Sequence, residues 1–245
     1  MMKVADVFRA CVLAMRDGAR IERTRGDKEF HFQNWFAKRL DETGLAYQAG
    51  GRNSYPDFTL VEHPEGFELK GLAHPGRDKS FDSNSQLPFG EHNGRQIWYV
   101  FGRYPAGEAD EFPVYDLVIF HGSFLSTVHD YSHKNKSFRG FGTYGDILVR
   151  DRKMYVLPTP YALAGGTTGQ RTVIVPADTV MPNDMFIVGD LIRREVDRSV
   201  VSYTFDLRTN SLTTQTVPNP NAGKEHHFRA YRLMGDPELP VTMMV

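Results

Sequence analysis

The chain has 245 residues, 40% hydrophobic and 24% charged, with a formal net charge of −1. That length supports one large core, or a core with an appended lobe, and the near-zero charge excludes a protein coated in basic residues while allowing local basic clefts. A single cysteine, Cys11, excludes a disulfide framework and a cysteine-type zinc centre; with no signal peptide and no long apolar span, the cytoplasm is the expected compartment.

In chain order, residues 3–16 read as an amphipathic helix. Val4, Val7, Phe8, Cys11, Val12 and Met15 recur at helical spacing, which makes burial the expected role of Cys11. Asp17-Gly18 ends it. Residues 27–43 read as a second helix, with Asp27 as N-cap, a core face of Phe32, Trp35, Phe36 and Leu40, and Gly44 as terminator. A short strand is expected at 45–48, then a loop over Gly50–Ser54. Asp57–Val61 alternates as a strand, His63–Gly66 reads as a turn, and Phe67–Leu72 resumes the strand.

A polar stretch, His74 to Gly94, reads as a long loop, and loops of that length inside a compact domain are usually functional. Buried strands follow at Gln96–Arg103 and Val114–Phe120, and a helix at Phe124–Tyr131. Beyond that the chain is mostly strand: Gly145–Pro158, Arg171–Pro176, Asp184–Val188, Val200–Leu207 and Ser211–Val217, with a short helix at Asp190–Arg198. The whole reads as α/β with a β-rich C-terminal half. Pro158–Gly169 is the best boundary, dividing the chain into 1–158 and 159–245.

The most informative residues are Asp57, Glu68 and Lys70. Glu68 and Lys70 stand two apart on one strand and share a face, and Asp57 at the start of the partner strand reaches the same spot. Two carboxylates and a lysine are the minimal equipment for metal-dependent phosphodiester cleavage. Mg²⁺ takes hard oxygen ligands from one or two carboxylates plus substrate phosphate. Asp57 and Glu68 are the expected metal ligands; Lys70 is placed to stabilise developing negative charge or to position the attacking water. No Gly-x-Ser-x-Gly elbow, His-Glu-x-x-His helix or Walker A loop competes with this reading.

Pro56-Asp57, then Glu68-Leu69-Lys70 with a glycine turn between and a helix upstream, resembles the PD-(D/E)XK nuclease superfamily, best known from type II restriction endonucleases. The resemblance covers roughly residues 27–120. It implies a restriction-endonuclease-like mixed sheet flanked by helices, and a Mg²⁺-dependent, sequence-specific endonuclease acting on double-stranded DNA. It implies a homodimer that matches a palindromic site, and a cognate DNA methyltransferase in the same system. It further implies that the helix before the motif adds a residue to the metal site: Gln33 lies nearer the usual place, and Glu29 is the better ligand. Two alternatives remain: a repair or recombination nuclease that nicks or resolves junctions, and a non-catalytic DNA-binding protein on a nuclease-like core.

DNA contacts are expected from Arg52 and Asn53 ahead of the motif. In the polar stretch they are expected from Arg77, Lys79, Ser83, Asn84, Ser85, Gln86 and Arg95. Amide side chains there suit base reading, and Arg95, abutting a buried strand, suits phosphate contact. A basic run at 133–153 adds Lys134 and Lys136.

Overall fold

A computed structural model describes residues 2–23, 29–51, 54–75, 81–82, 88–107, 109–127, 138–141, 143–145, 147–150, 153–156, 163–165, 167–206, 208 and 211–243. Two helices, α1 (Val4–Arg16) and α2 (Glu29–Thr43), pack on a nine-stranded mixed sheet. Its strands, numbered here along the chain, are β1 (Tyr47–Ala49), β2 (Phe58–Leu60), β3 (Glu65–His74), β4 (Glu91–His92), β5 (Arg95–Pro105), β6 (Asp116–His121), β7 (Arg171–Pro176), β8 (Met185–Arg194) and β9 (Glu225–Leu233). Their order is β8-β9-β7-β6-β5-β3-β2-β1, with β4 paired to the start of β5. The β1-β2-β3 meander is antiparallel, β3 and β5 run parallel, and so do β6 and β7.

Alternation along the strands divides the core between the two faces of the sheet. Phe67, Leu69, Trp98, Val100 and Ile119 face the helices, against Val4, Phe8, Cys11, Phe32 and Phe36. Ile97, Tyr99, Phe101, Val118 and Phe120 face the opposite layer with Phe124 and Phe228. Cys11 is fully buried, and that burial pushes its thiol up. Glu65, expected in a turn, opens β3 instead. Its carboxylate takes the Lys3 and Val4 amides at 2.6 and 3.1 Å and the Trp98 indole at 3.0 Å. It thereby satisfies otherwise unpaired amides at the positive end of α1.

The seat of α2 is a notch made by two glycines. Gly71 and Gly102 are paired across β3 and β5. A Cβ on Gly71 would lie 2.8 Å from Phe32 Cβ, and one on Gly102 would lie 2.3 Å from the Phe32 ring. Only glycine at both positions lets Phe32, and α2 with it, come this close.

Several elements differ from the sequence reading. The 190–198 stretch is not a helix: β8 runs through Arg194 and a further strand begins at Arg198. Leu191 and Arg193 are buried while Asp190, Ile192 and Arg194 are exposed, a period of two that only sheet pairing rewards. At 122–124 the chain makes one 3-10 turn, not the start of a helix over 124–131, of which 128–131 lie outside the described residues. The 74–94 stretch is not one loop. It contributes β4 and a short strand, Phe81–Asp82, in a small sheet with Phe138–Phe141, Ile147–Arg150 and Lys153–Val156. The last two also split the single strand expected at 145–158. The described part of α2 begins at Glu29, and Asp27 lies outside it.

The second half is β-rich, and β7, β8 and β9 extend the main sheet beyond β6, so its strands are shared by both sides of residue 158. A buried ion pair helps hold them. Arg103 Nε donates to both oxygens of Asp116 at 2.9 and 2.7 Å, with a third bond from Nη2, and Asp116 also takes the Gly169 amide at 3.1 Å. Among the described residues no helix is long and apolar enough to cross a membrane.

Candidate active site

The β2–β3 ladder is short. Its last register pair is Phe58 with Phe67, and one step further Asp57 turns out of the strand. Pro56 sets the departure. It is buried against Gly66, where a Cβ would lie 2.6 Å from Pro56 Cγ. Where the ladder stops, the Leu69 amide has no strand partner on that side, and the Asp57 carboxylate replaces it, accepting from Leu69 N at 2.7 Å through Oδ2. Gln33 Nε2, from α2, donates to the other oxygen, Oδ1, at 2.9 Å. Asp57 is thus held from two directions, by a strand and by a helix.

Glu68 and Lys70 share the face of β3 away from the helices. Their cross-strand partners on β5 are Tyr99 and Phe101. Lys70 Nζ donates to Glu68 Oε1 at 2.7 Å, with the side chains only 16% and 11% exposed. This is a more enclosed pair than an open cleft would give. Among the described residues Glu68 Oε2 is buried and accepts no hydrogen bond. A buried carboxylate oxygen without a donor costs about 1–3 kcal/mol or more, so it marks a place for a cation or a water.

Two residues missed in the sequence complete this layer. Tyr55 and Tyr99 meet hydroxyl to hydroxyl at 3.0 Å, and Tyr55 also meets the His92 ring edge-on at 5.0 Å. Burial pushes both phenols up, and the charges of Glu68 and Asp57 push in the same direction. Tyr55 adjoins the motif in sequence, but Tyr99 is identifiable only from the β3–β5 register.

The other predicted residues fare differently. Arg95 has a structural use: Nη1 donates to the carbonyls of Leu60 and His63 at 2.8 and 3.0 Å, pinning the turn before β3. By register it stands four residues, about 13 Å along β5, from the partner of Glu68. Glu29 is the first residue of α2, with its side chain outside the described set. Arg52, Asn53, Arg77, Lys79, Ser83, Asn84, Ser85, Gln86, Lys134 and Lys136 lie outside the described residues. His121 Nδ1 lies 2.7 Å from Ser123 Oγ, but its other ring nitrogen meets Gln96, not a carboxylate.

Among the described residues no group of three or more His, Cys, Asp and Glu side chains is placed to hold a metal ion. Two carboxylates with open positions suit a hard, water-keeping cation. No protein-family model, curated protein or solved structure matches the chain.

Proposed function

We propose that this chain is a Mg²⁺-dependent endonuclease of double-stranded DNA, of the PD-(D/E)XK, type II restriction kind, with a restriction-endonuclease-like core in its β1–β6 half. The observation that carries the reading is the Gln33–Asp57 pair held on the Leu69 amide where β2 leaves β3, with the Lys70–Glu68 pair on the residues either side of Leu69 and Glu68 Oε2 buried without a hydrogen-bond donor among the described residues.

Asp57 and Glu68 fit a magnesium ion as its protein ligands. When bound, that ion would polarise the phosphate and acidify a water. The protein groups divide the remaining work. Gln33 and the Leu69 amide fix the Asp57 carboxylate in one orientation, so no reorganisation is needed when substrate arrives. Lys70 places its ammonium beside Glu68, where charge develops on the phosphate oxygens as the bond breaks; a donor fixed in an enclosed site is worth far more than one in water. The Tyr55–Tyr99 pair closes the layer beneath Glu68 and keeps bulk solvent from it.

Digestion of plasmid DNA with Mg²⁺ tests the reading. Discrete fragments support site-specific cleavage. A smear or nicked circles redirect it to a repair-type nuclease. Retained binding without cleavage leaves a DNA-binding protein on a nuclease-like core, and full activity in excess EDTA rules out the metal site altogether.

A further inference from the structure

Strand β8 ends the main sheet, and among the described residues half of its outer edge has no partner strand. Near its start the chain covers itself: Val241 N donates to Val188 O at 2.9 Å, and a Cβ on Gly189 would lie 2.2 Å from Val241 O. Past that point the direction of the main-chain groups is set by Glu195. Its N–H donates to Lys224 O and its C=O accepts from Gly223 N, each at 3.0 Å, so Glu195 faces β9. Alternation then turns residues 191 and 193 toward β9, and the N–H and C=O of 190, 192 and 194 outward. Among the described residues no main-chain hydrogen bond reaches those outward groups. The side chains of Asp190, Ile192 and Arg194 are exposed on one face, with Ile192 48% exposed.

Exposed edges usually carry charges that repel a second edge. This one carries charges symmetric about Ile192 and opposite in sign. An antiparallel pair of two β8 strands with its two-fold at Ile192 sets Asp190 opposite the partner's Arg194, and Arg194 opposite the partner's Asp190. The existing register lengthens each row, because Asp190 is paired with Arg229 and Arg194 with Glu225 across β8 and β9. The signs along a row then alternate: Arg229, Asp190, the partner's Arg194, the partner's Glu225. The outward groups of 190, 192 and 194 are the ones such a pairing needs, and the exposed Ile192 side chains meet on the axis.

We propose that residues 190–194 of β8 are a self-complementary interface through which two copies of this chain join their sheets. The inference rests on the edge and its charges, not on the nuclease reading.

Sedimentation over a concentration series at low ionic strength reads it directly. The parent chain should show a monomer–dimer equilibrium that weakens with added salt. Asp190→Arg alone and Arg194→Asp alone should each raise the dimer dissociation constant by about tenfold, since every like-charge contact occurs twice across the axis. An equimolar mixture of the two variants should recover dimer, now mixed, because each supplies the sign the other lacks. Ile192→Lys, which sets two cations on the axis, should also give monomer. All these positions are exposed, and circular dichroism should show the variants as folded as the parent. A monomeric parent, single variants that dimerise like the parent, or a mixture that stays monomeric would overturn the proposal. A monomeric parent that binds some other strand on this edge counts equally against it.

Discussion

Gln33 and Asp57, separated by 24 residues, are joined by a hydrogen bond of 2.9 Å between Nε2 and Oδ1. The bond exists because Phe32, the preceding residue on α2, is seated between Gly71 and Gly102. A packing choice in the helix face therefore sets the orientation of a carboxylate at the site.

Gln33→Ala should lower Mg²⁺-dependent DNA cleavage by about ten- to a hundredfold, the usual effect of removing a group that orients a metal ligand. DNA binding in Ca²⁺ should change little. Single-turnover kinetics beside a binding titration separate the two, and unchanged cleavage would make the bond merely structural.

Gly102→Ala should destabilise the fold by about 1–3 kcal/mol, because its methyl meets the Phe32 ring at 2.3 Å and α2 must shift to admit it. Cleavage should fall with it, since Gln33 moves with the helix. Thermal melting and activity are the two readouts; a methyl accepted at no cost to either contradicts the tight seat.

Asp57→Ala and Lys70→Ala should each reduce cleavage by at least about a hundredfold. They should differ in stability. Lys70→Ala leaves the enclosed Glu68 carboxylate without its cation, a change that costs roughly 3 kcal/mol, less whatever solvent reaches the pair. Asp57→Ala removes an acceptor beside a surface turn and should cost less. Denaturant titration of both variants checks the order.

Mg²⁺ should raise the melting temperature of the parent and not that of Glu68→Ala, because a ligand that binds only the folded state stabilises it. Cleavage should need Mg²⁺, tolerate Mn²⁺ and fail in Ca²⁺, which prefers longer bonds and more ligands. An identical thermal shift in parent and variant would place the ion elsewhere.

His121 sets a pH dependence of stability. Burial lowers its pKa from 6.5 to about 4. The neutral ring is satisfied, one nitrogen against Ser123 Oγ at 2.7 Å and the other against Gln96 Oε1 at 2.8 Å. Between those two values the unfolded chain takes a proton there and the folded one does not. Stability is therefore unaffected by this group above about pH 6.5 and falls as the pH drops toward 4, by about 3 kcal/mol in all. His121→Asn should flatten the decline by about one proton. Urea titrations across that range measure it, and equal slopes for parent and variant would remove His121 as the cause.

The sequence alone determined the pieces with a local cause. Period 3.6 in residues 4–16 comes from burying one face, and the unbroken apolar run Ile97–Phe101 comes from burying both, so α1 and most of β5 were legible. So was the trio Asp57, Glu68 and Lys70, because its spacing is set within one hairpin. The α/β character followed from the same patterns. Tertiary structure decided the rest. The 190–194 segment is a strand because β9 pairs with it, a partner more than thirty residues away that local propensity does not see. Arg95 is drawn inward because the Leu60 and His63 carbonyls need donors. Tyr99 lies beside Glu68 only through the parallel register of β3 and β5, and Gln33 reaches Asp57 only because two glycines, distant in sequence, meet beneath Phe32. Local patterns specify which face a residue presents; the docking of one element on another specifies what that face meets.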